Sequence, residues 1–179
     1  IIEWLLRWEQ RDAFGLFWPD RVGFEEYNSN FISSYPLGSW CNGTLGIARA
    51  VWLAGEVLKD NELKQLSVDA FETMYLRYLN EKISFSTPIF CHGIAGMVQL
   101  TSRMYKDSGS NKIGEFCDYL FSALLKTYKV DCILGFHDVQ NGQHKLKAGL
   151  LDGTTGILLV LLSMLKSLDD DWEYLFLIN

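Results

Sequence analysis

The sequence predicts an all-α fold in which an inner ring of helices is wrapped by an outer ring. Three observations predict it. A Gly-x-x-Gly-apolar unit recurs three times, buried and amphipathic helical patterns alternate between the copies, and nearly half the residues are hydrophobic. The copies are Asn42-Gly43-Thr44-Leu45-Gly46-Ile47, His92-Gly93-Ile94-Ala95-Gly96-Met97 and Asp152-Gly153-Thr154-Thr155-Gly156-Ile157. Gly43 and Gly93 stand 50 residues apart, and Gly93 and Gly153 stand 60 apart. A spacing of that order holds two helices and two loops.

The stretch that opens at each unit reads as a buried helix. Ile47, Ala48, Ala50, Val51, Leu53, Ala54, Val57 and Leu58 are interrupted only by the charges of Arg49 and Glu56, and Ile157 to Leu165 carries no charge. A helix that is apolar nearly all round is buried on most sides. Between these stretches the pattern turns amphipathic. Leu63, Leu66, Phe71, Met74 and Tyr78 fall near helical spacing, with Lys64, Asp69, Glu72 and Arg77 among them. Ile113, Phe116, Leu120, Ala123 and Leu124 do the same after a Ser/Asn-rich start that suits a cap.

Alternation of this kind describes a double ring, an α/α toroid, with paired glycines letting backbones approach where the inner ring narrows. Three units leave the first and last inner helices with an apolar flank each. The chain, residues 1–179 as a single domain, is therefore expected to be part of a larger toroid or to pair with another copy. Two long connections stand out. Residues 13–39 are rich in aromatics and turn residues, including Trp18-Pro19-Asp20 and Tyr35-Pro36-Leu37-Gly38. Residues 129–149 contain Asn141-Gly142, which suits a hairpin between Cys132–Phe136 and His144–Ala148. Loops of this length are commonly functional.

The bulk numbers narrow the function. A net charge of −6 without a Lys/Arg block argues against nucleic acid as a partner. The opening Ile1-Ile2-Glu3-Trp4 lacks the basic start of a signal peptide, and the longest apolar run, Gly156 to Leu165, is too short to span a bilayer. Four cysteines in a domain of this size do not make a disulfide scaffold. A reducing cytoplasm is the expected location, with Asn42-Gly43-Thr44 a chance sequon.

Aligned on their glycines, the units place Asn42, His92 and Asp152 before the first Gly, and Cys41, Cys91 and Leu151 one position earlier. Asn and Asp are strong N-caps and His is a weaker one, so His92 asks for another role. Sulfur and imidazole suit zinc, and three protein ligands leave one position open, as in catalytic sites. A helix N-terminus also favours a thiolate. The competing reading takes Cys41 and Cys91 as small core residues and His92 as a polar cap. Cys117 reads as core, and Cys132, His137 and His144 as bystanders in a loop, the two histidines having the pKa range of acid–base groups. Asp152 reads as an N-cap, and Trp4, Trp8 and Trp52 as core.

At these residues the chain resembles the lanthionine synthetase C-like (LanC-like) family, the cyclases that form thioether rings in lanthipeptides. The matching segments are Ser39-Trp40-Cys41-Asn42-Gly43, Cys91-His92-Gly93-Ile94-Ala95-Gly96, Gly149 to Gly156, and the end Asp171-Trp172-Glu173-Tyr174-Leu175-Phe176-Leu177. The resemblance implies an α/α toroid of which this chain is the C-terminal part. It implies Zn2+ held by Cys41, Cys91 and His92. It implies lanthionine synthesis by addition of a peptide Cys thiolate to dehydroalanine or dehydrobutyrine, with proton-transfer residues upstream, so no catalytic side chain is assigned here beyond the ligands. It also implies a dehydrated precursor peptide as substrate, and a dehydratase and a peptide transporter as partners that would bring the protein to a membrane. Two positions depart from the family pattern: Asn42 stands where Tyr is common, and Leu37 where Arg is frequent. A relative that only binds thiols, such as glutathione or a peptide cysteine, is the alternative. A toroidal glycosidase would need paired carboxylates, and only Asp152 sits at a repeat mouth.

Overall fold

The computed structural model describes residues 1–29, 36–80, 87–140, 142–165 and 170–179. Its helices are α1 (Ile2–Arg7), α2 (Phe24–Ser29), α3 (Thr44–Leu58), α4 (Asn61–Leu79), α5 (Ile94–Ser108), α6 (Asn111–Lys126) and α7 (Thr154–Met164), and a 3-10 helix spans Asp170–Phe176. Two antiparallel ribbons complete it: β1 (Gln10–Asp12) with β2 (Gly15–Phe17), and β3 (Asp138–Gln140) with β4 (Gln143–Lys145).

The alternation read from the sequence is the layering of the fold. α3, α5 and α7 pack side by side as the inner layer, while α4 backs α3 and α6 backs α5. The two helix hairpins turn in similar ways. Lys59 adopts a left-handed φ of 57° to end α3, and the Asp60 carboxylate accepts the backbone N–H groups of Glu62 and Leu63 to start α4. Gly109, at φ 69°, ends α5, and Ser110 follows as the cap residue of α6.

α5 is the best covered helix, burying Ile94 to Thr101 without a break. α7 is less buried than a helix apolar all round, in keeping with the apolar flank expected of the last inner helix. Ile157 and Val160 are buried, but Leu158 and Leu162 are 49% and 42% exposed. The described residues give α7 an inner-layer neighbour, α5, on one flank only. The C-terminal segment folds back over α3 and α5. The Ile178 carbonyl accepts from the buried Arg49 guanidinium, which also pairs with Asp107, each at 2.6 Å. Glu173, fully buried, accepts from Gln99 and pairs with Arg103 at 3.4 Å.

Within the connection read from the sequence at residues 13–39, β2 and α2 are regular elements. β2 packs on α4 because the buried Arg77 holds both carboxylate oxygens of Asp12 at 2.7 and 2.8 Å and the Gly15 carbonyl at 3.1 Å. The second hairpin also sits differently from the expectation. Its strands are Asp138–Gln140 and Gln143–Lys145, while Cys132–Phe136 forms turns closed by Gly135 N–H to Cys132 C=O. Gly142 takes the left-handed φ of 74° that a tight hairpin needs. Tyr35 and Asn141 lie outside the described residues. Trp8 and Trp52 are core as expected, whereas Trp4 is 48% exposed, because the short α1 has no buried residue.

Candidate metal centre

The three repeat mouths are built by the same backbone bonds. The first helical N–H of each inner helix returns to a carbonyl seven residues earlier: Thr44 to Leu37, Ile94 to Thr87 and Thr154 to Lys147, at 2.7, 3.0 and 3.0 Å. The second glycine of each unit lies against the carbonyl of the residue six before it. A Cβ on Gly46, Gly96 or Gly156 would stand 2.0 Å from the carbonyl oxygen of Trp40, Phe90 or Leu150. No side chain fits there. The residue that caps each helix is the first glycine, in extended backbone, and not the polar residue before it. Asn42, His92 and Asp152 are thereby released from capping, which corrects the cap reading of Asp152.

The mouths are also tied to one another. Cys41 N–H donates to the Cys91 carbonyl at 3.2 Å, and Cys91 N–H donates to the Leu151 carbonyl at 2.8 Å. Beneath them the aromatic residues that precede each cysteine meet. Trp40 packs on Phe90 with ring centroids 5.6 Å apart, and both pack on Phe176, whose carbonyl accepts the Trp40 indole N–H at 3.0 Å. The C-terminal segment thus props the two cysteine turns from below.

This scaffold brings Cys41, Cys91 and His92 together, with their sulfur and nitrogen atoms all within 4.8 Å of one another. In a tetrahedral zinc site such atoms lie about 3.5–3.8 Å apart, from Zn–S near 2.3 Å and Zn–N near 2.0 Å. The gap between those figures is within reach of side-chain rotation, so the donor set fits the ion in type and in spacing. All four cysteines are free thiols, and Cys41 is exposed. The Cys41 thiol donates to Asn42 Oδ1 at 3.2 Å, and Ser39 Oγ donates to the same oxygen at 2.8 Å. Partial burial, then the neighbouring Cys41 thiol and the Asp152 charge, push the Cys91 thiol up to about 12. The expected lowering by the helix N-terminus is outweighed there. A thiol so placed ionises only against a compensating cation.

Asp152, the counterpart of His92 in the third unit, is held by Lys147 at 2.9 Å, and the same ammonium reaches Asp138 at 2.9 Å. Asp138 is buried and accepts from Thr87 Oγ1 at 2.9 Å, which pins the β3–β4 hairpin to the α5 mouth. A cavity of about 260 Å³ reaches Cys41, with Trp4, Trp8 and Trp18 among its walls.

The lanthionine synthetase C-like family model matches residues 1–177. The chain belongs to this family. It is 25% identical over 153 residues to the nisin biosynthesis protein NisC of Lactococcus lactis subsp. lactis, a match covering 80% of this chain and 32% of that protein. The fold superposes on nisin cyclase with a TM-score of 0.73 at 18% identity, covering 99% of this chain and 41% of that structure. The chain thus spans 32% to 41% of the length of the relatives it matches, and its layered helices are those of an arc of the LanC-like toroid.

Of the remaining sequence candidates, Cys117 is core, where burial raises its thiol to about 11, and Cys132 is half-buried with its sulfur 3.5 Å from the Phe136 carbonyl. His137 and His144 are apart from the cysteine cluster and face each other, with ring centroids 5.4 Å apart. Sequence reading missed the Asp138–Lys147–Asp152 network. Its signal was period-two alternation, which puts Asp138 on the opposite face from His137 and Val139.

Proposed function

We propose that this chain is the zinc-binding, C-terminal part of a lanthionine-forming peptide cyclase. The observation that carries the reading is the meeting of Cys41, Cys91 and His92 at two adjacent helix mouths. Family membership and the likeness to the nisin proteins support the reaction class. Zinc held there would keep one position open and make a coordinated thiol ionise near neutral pH.

The chain's own residues do the rest. The cross-mouth backbone bonds fix the Cys41–Cys91 spacing, and Trp40, Phe90 and Phe176 keep that spacing from relaxing. Burial keeps water from part of the Cys91 side, while exposed Cys41 faces the approach. A peptide Cys thiolate brought there adds its sulfur to the β-carbon of dehydroalanine or dehydrobutyrine. The double-bond electrons move to the carbonyl as an enolate, and a proton then reaches the α-carbon. In this reading the proton donor comes from the remainder of the toroid, and the substrate is a dehydrated precursor peptide in the cytoplasm, delivered by a dehydratase and collected by a transporter. Among the described residues no helix is long and apolar enough to cross a membrane.

Leu37 and Asn42 favour a second reading, a relative that holds thiols such as glutathione or a peptide cysteine without joining them to an alkene. The Leu37 side chain is 38% exposed and cannot pair with a developing enolate, and Asn42 Oδ1 is engaged by Ser39 and Cys41.

Elemental analysis of the purified full-length protein should find about one zinc per chain, lost in Cys41→Ala. Absence of zinc, with Cys41→Ala indistinguishable from wild type, sinks the metal centre. Cyclisation leaves peptide mass unchanged, so ring formation is read as loss of alkylatable thiol on a dehydrated peptide. Retained thiols with a full zinc complement select the binding reading.

A further inference from the structure

A second cavity, of about 310 Å³, opens beside the α5 mouth. Its volume falls at the low end of small-ligand sites, about 300–1,000 Å³. Pro88, Ile94 and Val139 give it apolar walls, Thr87 and Thr127 add hydroxyls, and its other polar residues are basic. Lys126 and Lys129, exposed at and just beyond the end of α6, and His137 and His144 at the hairpin are among its lining residues. Among the described residues no Asp or Glu lines it, and neither lysine has an ion-pair partner.

The absence of a carboxylate from the lining follows from the strand pattern. Asp138 lies between His137 and Val139 in sequence, but its side chain is turned inward to Thr87 and Lys147. Chain alternation therefore sends the hairpin's acid to the scaffold and its histidine and valine to the cavity. Hairpin and α5 mouth are joined rigidly, since Val139 N–H also donates to Thr87 Oγ1 at 3.3 Å and Ile94 N–H to the Thr87 carbonyl. The cavity is thus held at a fixed offset from Cys91 and His92, which lie between Pro88 and Ile94. In a chain of net charge −6, a cationic cavity with apolar walls is a local reversal of sign.

We propose that this cavity is a subsite for an acidic residue of the peptide whose cysteine occupies the metal centre. The carboxylate meets the Lys126 and Lys129 ammoniums and the imidazole N–H groups, and the methylenes of the acid lie on Pro88, Ile94 and Val139. The proposal rests on the peptide-binding reading of the metal centre, and its test separates the two.

The probe is a set of paired peptides, each with one Cys and with Glu or Gln at a single scanned position. Binding to the full-length zinc protein is followed by fluorescence anisotropy. At the best position Glu should bind at least about fivefold tighter than Gln at low salt, and the ratio should fall as salt rises. Lys126→Gln/Lys129→Gln and His137→Gln/His144→Gln, all at the surface or half-buried, should bring the ratio toward one while leaving zinc content and Gln-peptide binding unchanged. A series with Ser in place of Cys reports on the cavity alone. A Glu preference kept there supports the subsite even if thiol binding at the metal fails. A ratio of one at every position in both series overturns it, as does a preference that survives both double variants. Competition by inorganic phosphate at peptide-equal concentration also overturns it, since the cavity would then be a free-anion site.

Discussion

The α5 and α7 mouths are the same backbone carrying different side chains. Each has a seven-residue backbone closure, an extended glycine cap and a second glycine pressed on a carbonyl. At α5 the two residues before the cap are Cys91 and His92, which join Cys41 in a soft-donor cluster. At α7 they are Leu151 and Asp152, and the carboxylate closes on Lys147 instead. The mouth is therefore a general support, and the chemistry is set by two side chains placed on it. The third mouth still serves the first two, because its Leu151 carbonyl holds the Cys91 N–H.

Exchanging side chains at the two mouths should give the widest separation. Cys91→Ala removes a ligand and should weaken zinc by more than about 100-fold, beyond the 10–100-fold typical of groups that only orient ligands. Asp152→Asn touches the site through charge alone and should stay within about tenfold. Competition with a chromogenic chelator measures both, and equal losses would mean that Asp152 is itself a ligand.

The shared support should fail alike at either place. Gly96→Ala and Gly156→Ala each force a Cβ to within 2.0 Å of a backbone oxygen. Each should cost about 3 kcal/mol or more, read as a fall in Tm. Zinc affinity should then divide them, with Gly96→Ala losing far more than Gly156→Ala. A wild-type Tm in either variant would refute the identity of the turns.

The support was legible in sequence and its electrostatics were not. The glycine spacing and the swing between apolar and amphipathic stretches gave the inner and outer layers, because both follow from helical period and burial. Cys41, Cys91 and His92 stood out because alignment on glycines puts them in register. The assignment of Asp152 to the cap position was off by one, since the extended Gly153 itself fills it. The thiol shift of Cys91 was expected downward and lies upward, because burial and neighbouring groups depend on distances that spacing does not encode. The open flank of α7 was foreseen as the edge of an incomplete ring: an apolar surface is legible, but what covers it is not.

Protonation offers a smaller contrast. Because burial and its neighbours hold Cys91 up to about 12, its proton must leave when a metal binds at any pH below that. Zinc affinity should therefore rise with pH, by about tenfold per unit from this proton alone, and fall on acidification. Calorimetry in buffers of different ionisation enthalpy counts the protons released. A pH-independent affinity between 6 and 8 would show that Cys91 is not bound as a thiolate.

Cys117 supplies the least effect and the sharpest control. It is a thiol like Cys91 with a pKa also raised, to about 11, but burial is the main cause, and among the described residues it belongs to no cluster of three metal donors. Its sulfur lies 3.8 Å from the Val98 carbonyl, packed between α5 and α6. Cys117→Ala should cost about 1 kcal/mol of stability through lost packing and leave zinc stoichiometry and affinity unchanged. The comparison separates two thiols whose shifts look alike: at Cys91 a cation would reverse the shift, whereas at Cys117 nothing in the surroundings would. A drop in zinc content in Cys117→Ala would mean that the metal depends on the packing of α5 as a whole and not on Cys41, Cys91 and His92 alone.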